Sequence, residues 1–204
     1  MEKDTIYNEK YKSEKYYWGK EPSSSCFKVL ELKPPVEKLK LLVVGCGEGK
    51  NAVFFARNGY DVTAFDLSEE GIKKTKRFAA DVGIELEAFT ADLNEFRCKE
   101  NYDIIFSNGT LHYIPVNLRV EILDDYRDHT NPGGINVHSV FVDKPFIRPA
   151  PDIEETACKW ISGELMTYYH DWKIEWFVEK IFDCDSSGIA HRHAMNRIAG
   201  RKLE

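Results

Sequence analysis

Much that would decide this chain's class is missing from it. No apolar run reaches the roughly 18 residues that a membrane helix needs, and the opening stretch MEKDTIYNEKYKSEKYYWGK has no long apolar core of the signal-peptide kind. There is no run of about five basic residues, and 28 Lys+Arg against 34 Asp+Glu leave a net charge of −6. Such a surface offers nothing to a duplex phosphate backbone or an anionic membrane, so neither nucleic acid nor membrane is expected as a partner. The target-base motifs N-P-P-Y and D-P-P-Y are absent, and Asn131-Pro132-Gly133 reads as a turn. The five cysteines (Cys26, Cys46, Cys98, Cys158, Cys184) are odd in number and form no C-x-x-C pair. A disulfide framework and a structural zinc site are thereby disfavoured, and a reducing cytoplasmic compartment is expected. Internal repeats and low-complexity linkers are absent as well.

What is present suits one globular domain. The 204 residues are 43% hydrophobic and 30% charged, enough to bury a core unaided. Residues 1–38, rich in Tyr7, Tyr11, Tyr16, Tyr17 and Trp18, are expected to form a helical cap that ends before Pro34-Pro35. Residues 39–202 form the core, as a monomer or homodimer, and Leu203-Glu204 are read as a cloning remnant. Within the core, Leu41–Val44 is a buried strand, Asn51–Asn58 a helix stopped by Gly59, and Asp61–Asp66 a second strand. Ser68, followed by Glu69 and Glu70, starts a helix that runs to about Val82. Leu86–Thr90 and Tyr102–Ser107 are strands, Val116–His129 a helix, Asn131–Gly134 a turn and Ile135–Val142 a fifth strand. The alternation predicts an α/β fold with a parallel sheet and helices on both faces. The tail differs: a loop over Asp143–Asp152, a short helix over Ser162–Tyr169, then two extended stretches (Trp172–Cys184, His193–Lys202) joined at Asp185-Ser186-Ser187-Gly188. An antiparallel C-terminal hairpin is expected.

The chemistry gathers at Gly45-Cys46-Gly47-Glu48-Gly49, between a strand and a helix. Small residues let the backbone bend and approach a ligand, and the helix behind offers free N–H groups. Asp66 ends the next strand, where a carboxylate can accept from both ribose hydroxyls. Asp92-Leu93 follows the third strand, with an acid for an adenine amino group and an apolar neighbour for its ring. Ser107-Asn108-Gly109 ends the fourth. Ligands of open α/β sheets bind at these carboxyl ends. A dinucleotide loop requires glycine where Lys50 stands, which disfavours NAD and FAD without removing a nicotinamide-dependent oxidoreductase from consideration.

With Asp66 and Asp92, the G-x-G-x-G turn resembles that of class I S-adenosylmethionine-dependent methyltransferases. GCGEGKNAVFFARNGYDVTAFDLSEEGI, SNGTLHYI, NPGGINVHSVFVDKPF, HRHAMNRIAGRK and the early YYWGKEP resemble, more narrowly, the tellurite-resistance (TehB-like) methyltransferases. The resemblance implies a Rossmann-like, mostly parallel seven-stranded sheet. It also implies S-adenosylmethionine as cofactor, S-adenosylhomocysteine as product, and a small-molecule acceptor, a tellurium or selenium oxyanion or a thiol-like nucleophile. By position, Gly45, Cys46, Gly47, Glu48, Gly49, Asp66, Leu67, Asp92, Leu93 and Asn108 would line the cofactor. A non-catalytic S-adenosylmethionine-binding protein stays open as an alternative.

Acceptor residues lie outside that motif. His112 and Tyr113 follow the fourth strand and either overlook the cofactor or pack the loop. His191, Arg192 and His193, with Lys144 and Arg148, would supply cations to an anion or else belong to a solvated hairpin. His191-x-His193 has metal-ligand character but no third ligand in sequence, so no metal is expected. Tyr16, Tyr17, Trp18 and Lys20 form a water-excluding lid or pack the first helix.

Overall fold

The computed structural model describes residues 6–151, 157–185 and 188–203. Asp152 of the expected loop, Ser186-Ser187 of the expected turn, Glu204 and residues 1–5 of the expected cap lie outside the described residues. Helices α1 (Ile6–Tyr11) and α2 (Ser24–Leu32) precede the sheet. Then come β1 (Lys40–Val44), α3 (Lys50–Arg57), β2 (Asp61–Asp66), α4 (Glu69–Asp81), β3 (Glu87–Thr90) and β4 (Tyr102–Asn108). The chain continues through α5 (Arg119–Asp128), β5 (Thr130–Val142), α6 (Glu164–Thr167), β6 (Lys173–Cys184) and β7 (His191–Arg201).

The strands form one seven-stranded sheet in the order β3-β2-β1-β4-β5-β7-β6. β1 to β5 pair in parallel, and β7 runs antiparallel to both β5 and β6. The order reverses between β1 and β4, which makes the carboxyl ends of those strands the crevice of the sheet. Period-two alternation sends neighbouring residues to opposite faces. Leu41 and Val43 pack with α2 and α3 through Val29, Ala52 and Phe55. Leu42 and Val44 pack with α5 through Ile122, Leu123 and Tyr126. Each such aliphatic side chain, at or near zero exposure, contributes roughly 1.5–3 kcal/mol. Ser68 caps α4 as its sequence suggests, its hydroxyl accepting from Gly71 N–H at 3.1 Å. Among the described residues no helix is long and apolar enough to cross a membrane.

Three elements differ from expectation. Asn131–Gly134 is not a free turn but an irregularity inside β5, where pairing jumps from Tyr102↔Thr130 to Ile104↔Ile135. Pro132 cannot serve a regular ladder, and Asn131 Nδ2 donates to Asp103 Oδ1 at 2.9 Å, folding the extra residues against β4. The helix expected from Val116 starts as a 3-10 turn, Val116–Leu118, before α5. The expected Ser162–Tyr169 helix shrinks to α6 because Gly163, at φ 81°, sets its start.

The hairpin is where expected, and its second strand enters between β5 and β6. Val142 at the end of β5 therefore faces Ala194 near the start of β7. His191, Arg192 and His193 are thereby carried to the carboxyl end of the parallel strands.

Candidate active site

The glycine loop is held by its own backbone and by its neighbours. Cys46 N–H donates to Phe65 O at 2.9 Å, and Gly49 N–H closes the turn on Cys46 O at 3.0 Å. Gly45 (φ 66°) and Gly49 (φ 91°) are in the left-handed region. A Cβ on Gly45 would stand 2.3 Å from Thr110, and one on Gly49 2.9 Å from the Thr75 Cα, so neither place admits a side chain.

Asp66 anchors the loop to β2. Its Oδ2 accepts from Gly47 N–H at 2.8 Å and its Oδ1 from Ser68 N–H at 2.9 Å. Burial raises its pKa against the opposing pull of these backbone donors. Each oxygen keeps a lone pair, as two vicinal hydroxyls would require. Pairing of Asp66 with Thr90 sets β3 alongside, and Asp92 follows two residues later. Asp92 Oδ1 accepts from Asn94 N–H at 2.8 Å, while the buried Asn94 Oδ1 has no hydrogen-bond partner among the described residues. Leu93 is buried beside them. At the end of β4, Asn108 Oδ1 accepts from Ser139 Oγ at 3.0 Å. Glycine loop, Asp66, Asp92 and Asn108 thus stand along one edge of adjacent strands. Vicinal acceptors at Asp66, an orphaned acceptor at Asn94 and a tight glycine bend suit an adenosine. Cys46 is buried, and desolvation with nearby Asp66 pushes its thiol well above the ordinary range, so it is no nucleophile.

The N-terminal segment folds over this edge. Trp18 Nε1–H donates to the Tyr11 hydroxyl at 2.9 Å, and that hydroxyl lies 3.2 Å from where a Cβ on Gly47 would be. Tyr7 contacts Tyr11, Trp18 and Tyr113 with ring centroids 5.5, 6.2 and 6.5 Å apart. Ser68 Oγ–H donates to Asn8 at 2.6 Å. Glu48 is the clamp: its Oε1 accepts from Lys74 at 2.7 Å and its Oε2 from Trp18 N–H at 3.1 Å.

Among the residues expected to face an acceptor, His112 packs on Tyr113 and Phe141, with centroids 4.2 and 5.2 Å away, and Phe141 packs on His193 at 4.8 Å. Phe141, Arg148, Arg192 and His193 line one shallow cleft. Burial, with His193 nearby, lowers the His112 pKa to about 4, and its Nδ1 is buried without a hydrogen-bond partner among the described residues. Burial lowers His138, which meets Ser107 Oγ through Nδ1 at 2.8 Å, to about 3. Both values lie below the ordinary 6.5, so the unfolded chain binds protons first and stability falls as pH drops below 6.5. Between pH 6.5 and about 5, the loss per histidine should steepen from about 0.7 toward about 1.4 kcal/mol per pH unit, and His138→Gln should remove about half of that joint slope in denaturant titrations. A wild-type curve flat over this window would refute the buried neutral imidazoles.

The family model described as tellurite resistance protein TehB matches residues 5–197. The chain belongs to the TehB family. It is 31% identical over 159 residues to "Hemagglutinin 1" of Eikenella corrodens, covering 75% of this chain and 50% of that protein. It is 26% identical over 151 residues to the "Probable S-adenosyl-L-methionine-dependent methyltransferase TehB" of Haemophilus influenzae, covering 71% and 50%. The chain therefore spans about half the length of the curated relatives it matches. The crystal structure of TehB from H. influenzae superposes with a TM-score of 0.78 at 23% identity, over 96% of this chain and 65% of that one. Magnesium protoporphyrin IX methyltransferase from Synechocystis, solved with bound S-adenosylmethionine, gives 0.63 at 14%, over 87% and 76%. The class I methyltransferase fold expected from the sequence is thus present.

Within this TehB-family chain some residues are placed differently from expectation. Both oxygens of Glu48 are engaged by Lys74 and Trp18, so its side chain ties the loop to the covering segment. Lys144 is paired with Glu179 at 2.6 Å, which removes it as a free cation, whereas Arg148 and Arg192 are exposed. The lid and packing readings of the N-terminal aromatics divide by residue. Tyr16 packs on Phe78 of α4 and Lys20 lies over both rings, while Trp18 is bonded to Glu48 and Lys50 of the loop region and Tyr17 stands edge-on to the Trp18 ring. Tyr7, Tyr11, Asn94 and Thr110 escaped the sequence reading as site residues. The four-residue spacing of Tyr7 and Tyr11, which puts both rings on one helix face, was an available signal for two of them.

Proposed function

We propose that this chain transfers a methyl group from S-adenosylmethionine to a small soft nucleophile, a thiolate or a tellurium or selenium anion. One observation carries the reading: the glycine loop, Asp66, Asp92 and Asn108 stand side by side at the carboxyl ends of β1, β2, β3 and β4. When bound, S-adenosylmethionine supplies a methyl group already activated on a sulfonium and leaves as S-adenosylhomocysteine. Asp66 would hold the ribose, with Leu67 beside it, and Asp92, Leu93 and Asn94 the adenine. Gly45, Cys46, Gly47 and Gly49 would form the floor and Asn108 a wall. The chain's task is then to position the acceptor and exclude water. Orientation alone can remove roughly 7–11 kcal/mol of a barrier. Tyr7, Tyr11, Trp18 and Tyr113 cover the loop, and aromatic faces suit a cationic sulfur. Arg148, Arg192 and His193 at the cleft suit an anion. His112 would stay neutral above about pH 4, and a thiolate acceptor needs no proton removed.

The chain should be incubated with methyl-labelled S-adenosylmethionine and a panel of thiol, selenite, tellurite and thiopurine acceptors, and the products read by mass spectrometry. Labelled methyl is expected on the soft acceptors. Cofactor binding with no labelled product from any acceptor would favour the non-catalytic binding protein. The nicotinamide reading has lost its support, because Lys50 starts α3 and donates to Trp18 O at 3.3 Å where the dinucleotide motif needs glycine.

A further inference from the structure

β6 and β7 bring together three metal-ligating side chains that are far from obvious in sequence. Cys184 pairs directly with His191 across the hairpin, and His193 follows two residues on, so all three project from the same face. Their ligand atoms lie within 4.8 Å of one another. The two Nε2 atoms of His191 and His193 face each other at 2.9 Å. His191 Nδ1 stands 2.6 Å from Ile189 O, and a carbonyl can only accept, so Nδ1 carries the proton and Nε2 keeps its lone pair. A backbone carbonyl that fixes the tautomer in this way is the usual outer partner of a metal-binding histidine.

We propose that Cys184, His191 and His193 form a site for a thiophilic divalent transition-metal ion, zinc foremost. Two imidazoles and one thiolate match the three-ligand zinc pattern, which leaves a fourth position for water or an exogenous soft anion. Tetrahedral zinc with bonds of about 2.0–2.1 Å to nitrogen sets its two nitrogens about 3.3 Å apart, so the imidazoles need to part by only a few tenths of an ångström. Binding releases the Cys184 thiol proton and moves the His193 proton to Nδ1. The absence of a third ligand in the linear sequence is corrected by strand register, which supplies Cys184. The site adjoins the cleft that His193 lines, but it does not depend on the methyl-transfer reading.

The test is a Co2+ titration of the tag-free, metal-free full chain, followed by optical absorption. One equivalent should give tetrahedral d–d bands and a thiolate-to-cobalt charge-transfer band, both lost on adding Zn2+. Cys184→Ser should abolish the charge-transfer band. Cys184→Ser and His191→Gln should each weaken binding by at least about 100-fold, since losing even an outer-shell partner costs about 10–100-fold. Circular dichroism establishes that both variants fold. No tetrahedral absorption at saturating Co2+ would overturn the site. So would a spectrum unchanged in Cys184→Ser but lost in Cys98→Ala, which would move the ion to the Cys98–Asp125–His129 group.

Discussion

Asp66→Ala is expected to weaken S-adenosylmethionine binding by about 100-fold or more while the chain remains folded. The argument is one of lone pairs. Gly47 N–H and Ser68 N–H each take one site on the carboxylate, and each oxygen retains another. Two hydroxyl donors to a charged acceptor are worth roughly 1.5–3 kcal/mol apiece, so losing both reaches two orders of magnitude or beyond. Stability should change far less. Burial raises the Asp66 pKa, so its charge is disfavoured in the fold, and removing it offsets part of the loss of two backbone partners. Asp66→Asn is no mild control: its amide must turn a donor toward Gly47 N–H or Ser68 N–H, so binding should fall there too. Calorimetric titration reads the affinity and thermal melting the fold. Wild-type affinity in Asp66→Ala would remove the carboxylate from the cofactor site.

The part of this site that could be read in advance is the part built from local pattern. β2 is expected over Asp61–Asp66 and is found there, because its apolar residues Val62, Ala64 and Phe65 are bounded on both flanks by turn or cap residues. The Ser68 cap and the left-handed glycines are one-residue signals that need no knowledge of the fold. The remainder depends on contacts between distant segments. Glu48 reads as one more loop residue until Lys74, on the middle of α4, is found against it. The metal-ligand triad depends on hairpin register: a slip of one residue across β6 and β7 would turn Cys184 away from the histidines. Asn131–Gly134 has turn composition and behaves as a bulge because β4 pairs on either side of it.

Glu48→Gln should cost about 3–5 kcal/mol and lower the melting temperature by roughly 10 °C. Glu48 and Lys74 have side-chain exposures of 1% and 6%, so the remaining ammonium would be left in the interior without its counter-charge. Among the described residues Lys74 keeps the Lys15 carbonyl at 2.7 Å and the Tyr16 ring at 5.1 Å as direct partners, with Glu70 acting on it only through longer-range attraction. Glu48→Met with Lys74→Met should be far less destabilising than Glu48→Gln alone, because breaking a buried pair is far costlier than replacing both members by apolar side chains. The pair has a second consequence that stability alone does not read. Glu48 Oε2 also accepts from Trp18 N–H, and Trp18 holds Tyr11 over Gly47. In the double variant the core charge is gone but the clamp is not restored. Hydrogen exchange across residues 11–19 should therefore stay faster than in the wild type, and S-adenosylmethionine affinity should stay reduced, even when the melting temperature has returned. Full recovery of affinity along with stability would show that the covering segment is held by its aromatic packing alone.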